Sequence, residues 1–153
     1  MTRCTIFLRQ MAIALAVAVL AVSFGLQSAW GDDKTENPKV LMVTTDGEIT
    51  IELFADKSPI TVENFLRYVE DGHYEGTVFH RVISNFMIQG GGFTAELTEK
   101  PTRGPIVNES VNKLHNTRGT LAMARTSDPD SASAQFFINQ RSNLRLDWSW
   151  GKA

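Results

Sequence analysis

The chain has 153 residues, of which 42% are apolar, 21% charged and 9% aromatic, a composition that excludes intrinsic disorder and supports one globular domain. Its 15 basic residues stand against 17 acidic ones, a formal charge of −2, so charge makes no case for a nucleic-acid partner. A lone cysteine, Cys4, excludes an internal disulfide framework and a Cys-rich zinc site.

Residues 1–31 read as a secretory signal. Arg3 and Arg9 give a positive start, Met11 to Leu26 is an uncharged apolar run, and Gln27 to Gly31 is a small-residue region open to cleavage. Cleavage after Gly31 places Ala29 and Gly31 where small side chains are preferred; cleavage after Ala29 is nearly as good. The run is shorter than the ~20 apolar residues of a spanning helix. An uncleaved membrane anchor is the alternative. Residues 32–38 are a polar, flexible lead-in, and residues 39–153 form the folded domain.

Val40 to Thr45 and Glu48 to Leu53 flank Asp46-Gly47, a pair suited to a tight hairpin because both turn positions take positive φ. In the second run Ile49, Ile51 and Leu53 alternate with polar residues, so one face is expected inside. Ser58-Pro59 then opens a helix. Val62, Phe65, Leu66 and Val69 make its apolar stripe, and Asp71-Gly72 stops it. Thr77 to Ile83, Phe86 to Gln89, Gly119 to Ala124 and Gln135 to Asn139 read as short strands. One helix among many short strands predicts a mainly β barrel or sandwich closed by that helix.

Three groups of residues invite a functional reading. Gly90-Gly91-Gly92 lacks both the GxGxxG and the GxxxxGK pattern, so a close backbone approach is expected rather than a phosphate cradle. His73, His80 and His115 are scattered without metal-ligand spacing, and the last two are expected to be hydrogen-bonded structural residues. Ser131 and Ser133 lack a nucleophile elbow. The third group is FHRVISNFMIQGGGF from Phe79 and GTLAMARTSDPDSASAQFFIN from Gly119. Alternation in FHRVI puts Phe79, Arg81 and Ile83 on one face and His80 and Val82 on the other. By pattern alone Arg81 reads as a surface or ion-paired residue, and Phe86, Met87 and Phe137 read as core.

Taken with TDGEITIELF and TVENFLRYVEDGHYEGTVFHRV, the FMIQGG and AQFFIN segments resemble the cyclophilin family of peptidyl-prolyl cis-trans isomerases. The resemblance runs from about Val40 to about Asp147, and MART…SASAQFFIN resembles the bacterial branch, here in an exported form. It implies an eight-stranded antiparallel barrel with a capping helix. The family continues past this point with closing strands and a second helix. Their absence from the sequence leads us to expect two open sheet edges.

The implied reaction is rotation about an Xaa-Pro peptide bond. No covalent bond is made, so no nucleophile, metal or other cofactor is called for. Twisting the amide localises the lone pair on the prolyl nitrogen, and a fixed cationic donor aimed there favours the twisted state. By resemblance Arg81 is that donor. Phe86, Met87 and Phe137 form the proline pocket, and Gln89 binds substrate backbone and positions the arginine. Ala124 and Gln135 line the groove for residues preceding proline. Arg145 precedes Leu146-Asp147, where many relatives carry an aromatic residue, and Arg125 stands where many carry asparagine. The implied partners are proline-containing segments of unfolded or extended polypeptides. No nucleic acid is implied, nor a stable membrane partner once the signal is cut, and the chain is expected to be a monomer assisting the folding of exported proteins. Two alternatives stay open: a proline-peptide-binding module, or a truncated fragment without useful turnover.

Overall fold

The computed structural model describes residues 3–8 and 36–148. The apolar run of the signal and its cleavage region lie outside these residues.

The strands are β1 (Arg3–Leu8), β2 (Lys39–Thr44), β3 (Gly47–Glu52), β4 (Thr77–Val78), β5 (Arg81–Ile83), β6 (Met87–Gly90), β7 (Leu121–Met123) and β8 (Phe136–Asn139). They form two four-stranded sheets, in the orders β3-β2-β1-β4 and β5-β6-β8-β7. Every pairing is antiparallel. One α-helix, α1 (Pro59–Glu70), stands among the described residues.

The hairpin forms one residue earlier than its sequence suggests. Thr44 pairs with Gly47, so Thr45 and Asp46 are the turn residues. Gly47 (φ +128) carries the positive φ, and Asp46 does not. Moving the turn back lets glycine take the one position where a Cβ would be strained. Ile51 and Leu53 are buried as expected, whereas Ile49 stays 38% exposed.

Helix α1 begins at Pro59 and buries Val62, Phe65 and Val69, with Tyr68 and Asn64 beside them. Its cap differs from expectation. Ser58 makes no side-chain cap bond, and its Oγ instead accepts from Asn112 Nδ2 at 2.7 Å. The free N–H groups of the first turn go to Glu109: Ile60 N at 3.2 Å and Thr61 N at 2.7 Å. A carboxylate there is also favoured by the helix dipole.

The expected single strand from Thr77 to Ile83 is broken. Its first part, β4, joins one sheet and its second, β5, joins the other. Between them Phe79 enters the core, packing edge-on to Phe136 at 6.2 Å. That core gathers Val40, Met42, Phe65, Tyr74, Phe79 and Phe136, between the sheets and the helix. One side of β2 is covered here by residues 3–8, which the sequence reads as the start of the signal. Arg3–Leu8 pairs with β2 (Cys4 opposite Thr44, Leu8 opposite Val40) and with β4 (Cys4 opposite Thr77). The physical reason is general: an unpaired strand edge offers a row of N–H and C=O groups, and Thr5, Ile6 and Phe7 are residue types that favour extended backbone.

Candidate active site

The site is built on the second sheet by register. Arg81 on β5 lies opposite Gln89 on β6, Gln89 opposite Phe137 on β8, and Phe137 opposite Ala122 on β7. Directly opposed residues project from the same face. Arg81, Gln89 and Phe137 are therefore neighbours across three strands, and period two adds Ile83 and Met87 to their face. The other face carries Ile88, Ile138 and Phe136 into the core. Beyond the ladder, Ala124 N donates to Gln135 O at 2.8 Å, which carries Ala124 and Gln135 along the same row.

A hydrogen-bond chain runs across this face. Arg81 Nη1 donates to Gln89 Oε1 at 3.3 Å. Gln89 Nε2 donates to Gln135 Oε1 at 2.9 Å, and Gln135 Nε2 donates to Glu99 Oε1 at 3.4 Å. The polarity has one solution. Arginine only donates and an ionised carboxylate only accepts, so each glutamine must turn its oxygen toward Arg81 and its nitrogen toward Glu99. Arg81 itself is exposed, so its charge carries no burial cost.

Glycines 90 to 92 serve close approach, as their sequence suggests. A Cβ on Gly91 (φ +83) would stand 2.8 Å from Phe136 Cε1, and one on Gly92 would stand 2.5 Å from Gln135 Cγ. The bare backbone at Gly92 is what lets Gln135 lie flat across it and reach Gln89.

Phe86 sits beside the face, after Asn85 (φ +56) turns the chain from β5 into β6. Its carbonyl accepts from Gln140 N at 3.0 Å and from Asn143 Nδ2 at 2.9 Å. Phe86 and Phe137 are half-buried, and Met87 is fully buried. Arg145 lies with its guanidinium carbon 4.8 Å from the centre of the Phe86 ring.

Sequence reasoning missed the groups that hold this edge. Buried Asn143 bonds Asn116 O through its backbone N–H at 2.7 Å and Asn139 Oδ1 through Nδ2 at 2.7 Å. Asp147 accepts from Asn116 N at 2.8 Å and meets His115 Nδ1 at 2.8 Å. Burial pushes the Asp147 carboxyl up, but the Asn116 backbone N–H and the side chains of His115 and Asn116 outweigh it and hold it below the usual carboxylate range. His115 is thus hydrogen-bonded, as expected. His80 departs from that expectation: its buried Nδ1 has no hydrogen-bond partner among the described residues, and its ring packs at a tilt on Phe93 at 4.6 Å. Burial lowers its pKa, the Val78 backbone opposes that shift, and Arg81 adds to it.

Residues 39–151 match the family described as cyclophilin type peptidyl-prolyl cis-trans isomerase. The chain is 60% identical over 113 residues to a peptidyl-prolyl cis-trans isomerase of Acinetobacter baylyi, covering 74% of this chain and 60% of that one. It is 58% identical over 106 residues to peptidyl-prolyl cis-trans isomerase B of Escherichia coli, covering 69% and 65%. It thus spans somewhat under two thirds of the length of these relatives. Among solved structures it is similar to a Cryptosporidium parvum cyclophilin type isomerase, crystallised in the presence of the dipeptide Ala-Pro. That match has a TM-score of 0.61 and 30% identity, and covers 71% of this chain and 72% of that one. A cyclophilin from Hirschia baltica matches with a TM-score of 0.64 and 27% identity, covering 71% and 59%. With the sequence match, the sheets and the shared face in agreement, the chain belongs to the cyclophilin-type peptidyl-prolyl cis-trans isomerase family.

Proposed function

We propose that the chain catalyses cis-trans isomerisation of Xaa-Pro peptide bonds in extended or unfolded polypeptides. The observation that carries this reading is the placement of Arg81, Gln89, Gln135 and Phe137 on one sheet face, joined by a hydrogen-bond chain of single polarity. Planar Xaa-Pro amides isomerise over a barrier of ~18–20 kcal/mol. As the bond twists, the prolyl nitrogen gains a localised lone pair. The Arg81 guanidinium donates to that nitrogen and to neither planar form, so it lowers the barrier selectively. Gln89 Oε1 holds one Nη of Arg81 and leaves its other donors for substrate. Phe86, Met87 and Phe137 grip the proline ring while the preceding residue turns along Ala124 and Gln135. The Ala-Pro dipeptide present with the Cryptosporidium relative supports a proline ligand for this groove.

Export is the second half of the proposal. It rests on the charged start, the apolar run and the small-residue region of residues 1–31; cleavage there removes β1 and uncovers that side of β2. Intact mass of protein recovered from the periplasm or medium is expected to begin at Asp32 or Trp30; a chain retaining Met1 in the membrane fraction overturns cleavage.

A protease-coupled assay on a proline peptide tests the chemistry. Arg81→Ala is expected to reduce kcat/KM by about 10²–10³, the usual cost of removing a donor to a developing charge. An unchanged rate removes Arg81 from the mechanism. Binding of the peptide by the parent chain, without cis-trans exchange in its NMR signals, would replace catalysis by a holding function.

A further inference from the structure

We infer that Arg145 is a specificity-determining residue that makes the rim of the proline pocket select segments with an acidic side chain adjacent to the proline. This rests on the pocket assigned above, with Phe86 as one of its walls.

The inference starts from how Arg145 is held. It lies in the middle of a 3₁₀ turn, Leu144–Leu146. Both ends of that turn are fastened. On one side Asn143 bonds Asn116 O, Phe86 O and Asn139 Oδ1. On the other, Asp147 takes the Asn116 backbone and side chain and His115. The same Asn143 grips the Phe86 carbonyl, so one buried amide fixes both the ring and the turn that covers it. Arg145 therefore has a defined place over Phe86, 4.8 Å from ring centroid to guanidinium carbon.

A guanidinium over a ring can offer it its flat face. Its N–H donors lie in the plane, along the edge. Among the described residues none of them meets a carboxylate or carbonyl, whereas Arg67 and Arg103 pair with Glu63 and Asp71. A stacked arginine with a free N–H edge fits a carboxylate, which can accept two parallel bonds. The carboxylate nearest to this turn, Asp147, is already held by Asn116 and His115, so it does not neutralise the rim. The chain as a whole is slightly negative, so the preference is local to this edge rather than a property of net charge.

The test uses four-residue proline peptides carrying Glu, Ala or Lys immediately before or immediately after the proline. For the parent chain at low salt, kcat/KM with Glu on the favoured side is expected to exceed that with Lys by about threefold to fivefold, the upper part of the range of an exposed ion pair. The ratio should fall toward one at ~1 M salt, where the Debye length is ~3 Å. Arg145→Gln is expected to level the ratio, Arg145→Lys to keep part of it, and Arg145→Glu to invert it. Each ratio is taken within one variant, so a general loss of activity does not mimic the result. A parent ratio near one on both sides, or a ratio unchanged in Arg145→Gln, overturns the inference. If no peptide is turned over, isomerisation is what fails. The same ratio is then read from the dissociation constants of these peptides by NMR titration, where a preference for Glu that Arg145→Gln levels supports the inference and a ratio near one overturns it.

Discussion

An alanine at position 92 would carry its Cβ to 2.5 Å from Gln135 Cγ, 2.6 Å from its Cδ and 2.7 Å from its Nε2. These contacts are about 1 Å short of ordinary carbon–carbon separation. The backbone at Gly92 is not in the positive-φ region, so the clash is the whole effect. Because Cγ itself is struck, the glutamine cannot escape by bending its tip. It must rotate about χ1, which takes the amide away from both Gln89 and Glu99. Two hydrogen bonds are lost, at about 0.5–1.5 kcal/mol each. Gln89 is then oriented only by Arg81. If about half of the lost energy is felt in the twisted state, kcat/KM falls by between about twofold and tenfold, since ~1.4 kcal/mol is one decade. The protease-coupled assay reads this directly, with a thermal melt run in parallel. Gln135→Ala removes the struck atoms, so adding Gly92→Ala to it should cost almost nothing further. A Gly92→Ala rate within twofold of the parent, or penalties that simply add in the double variant, would refute the reasoning.

Other expectations follow from the same contacts. Asn143→Ala strands the Asn139 Oδ1, removes one of the two bonds to the Phe86 carbonyl and frees the turn over the pocket; a destabilisation of about 2–4 kcal/mol by urea denaturation is expected, and less than about 0.5 kcal/mol would contradict it. Glu109→Ala uncaps helix α1 at a cost of about 1 kcal/mol, visible as a lower Tm, and Glu109→Gln should recover part of it. His73 and His80 both have lowered pKa values, chiefly through burial. The unfolded chain therefore takes up protons first as pH falls. Their contribution to stability is complete above ~6.5 and is lost as pH falls from there through the folded values. A melt series from about pH 7.5 to about pH 5 should show Tm falling, and a rise would contradict the sign. Asp147, also lowered, contributes stability that is present above ~3.9 and lost below it as the His115 and Asn116 contacts are released.

What could be read from sequence follows the range of the interaction. The stripe of α1 and the hairpin are local patterns, and both are present. The hairpin slipped by one because an Asp-Gly pair does not say which residues close the turn; the pairing of Thr44 with Gly47 does. The break after Val78 was invisible because FHRVI alternates as a continuous strand would, which puts Phe79 on the face of Arg81; Phe79 instead enters the core on the opposite face, against Phe136. The helix cap was misassigned for a similar reason: Ser58 is the right residue in the right place, yet Glu109, distant in sequence, reaches the first turn instead. Strand β1 was unreadable, since nothing in RCTIFL specifies partners on β2 and β4. In the site, alternation alone placed Arg81 on a face, and the family resemblance supplied its companions. The register then put Arg81, Gln89 and Phe137 side by side. Asn143 left no local trace, because a buried asparagine is recognised by what it bonds and not by its neighbours in the chain.

The hydrogen-bond chain from Arg81 to Glu99 has a thermodynamic consequence. Each of its two amides has a single permitted orientation, set from outside by a group that can only donate at one end and one that can only accept at the other. No rotor in it has to choose a state when a peptide arrives. The entropy of ordering these side chains is lost once, during folding, rather than at every encounter. In the proposed reaction the activation barrier then contains little enzyme reorganisation, and what remains is the twisting of the substrate's own amide.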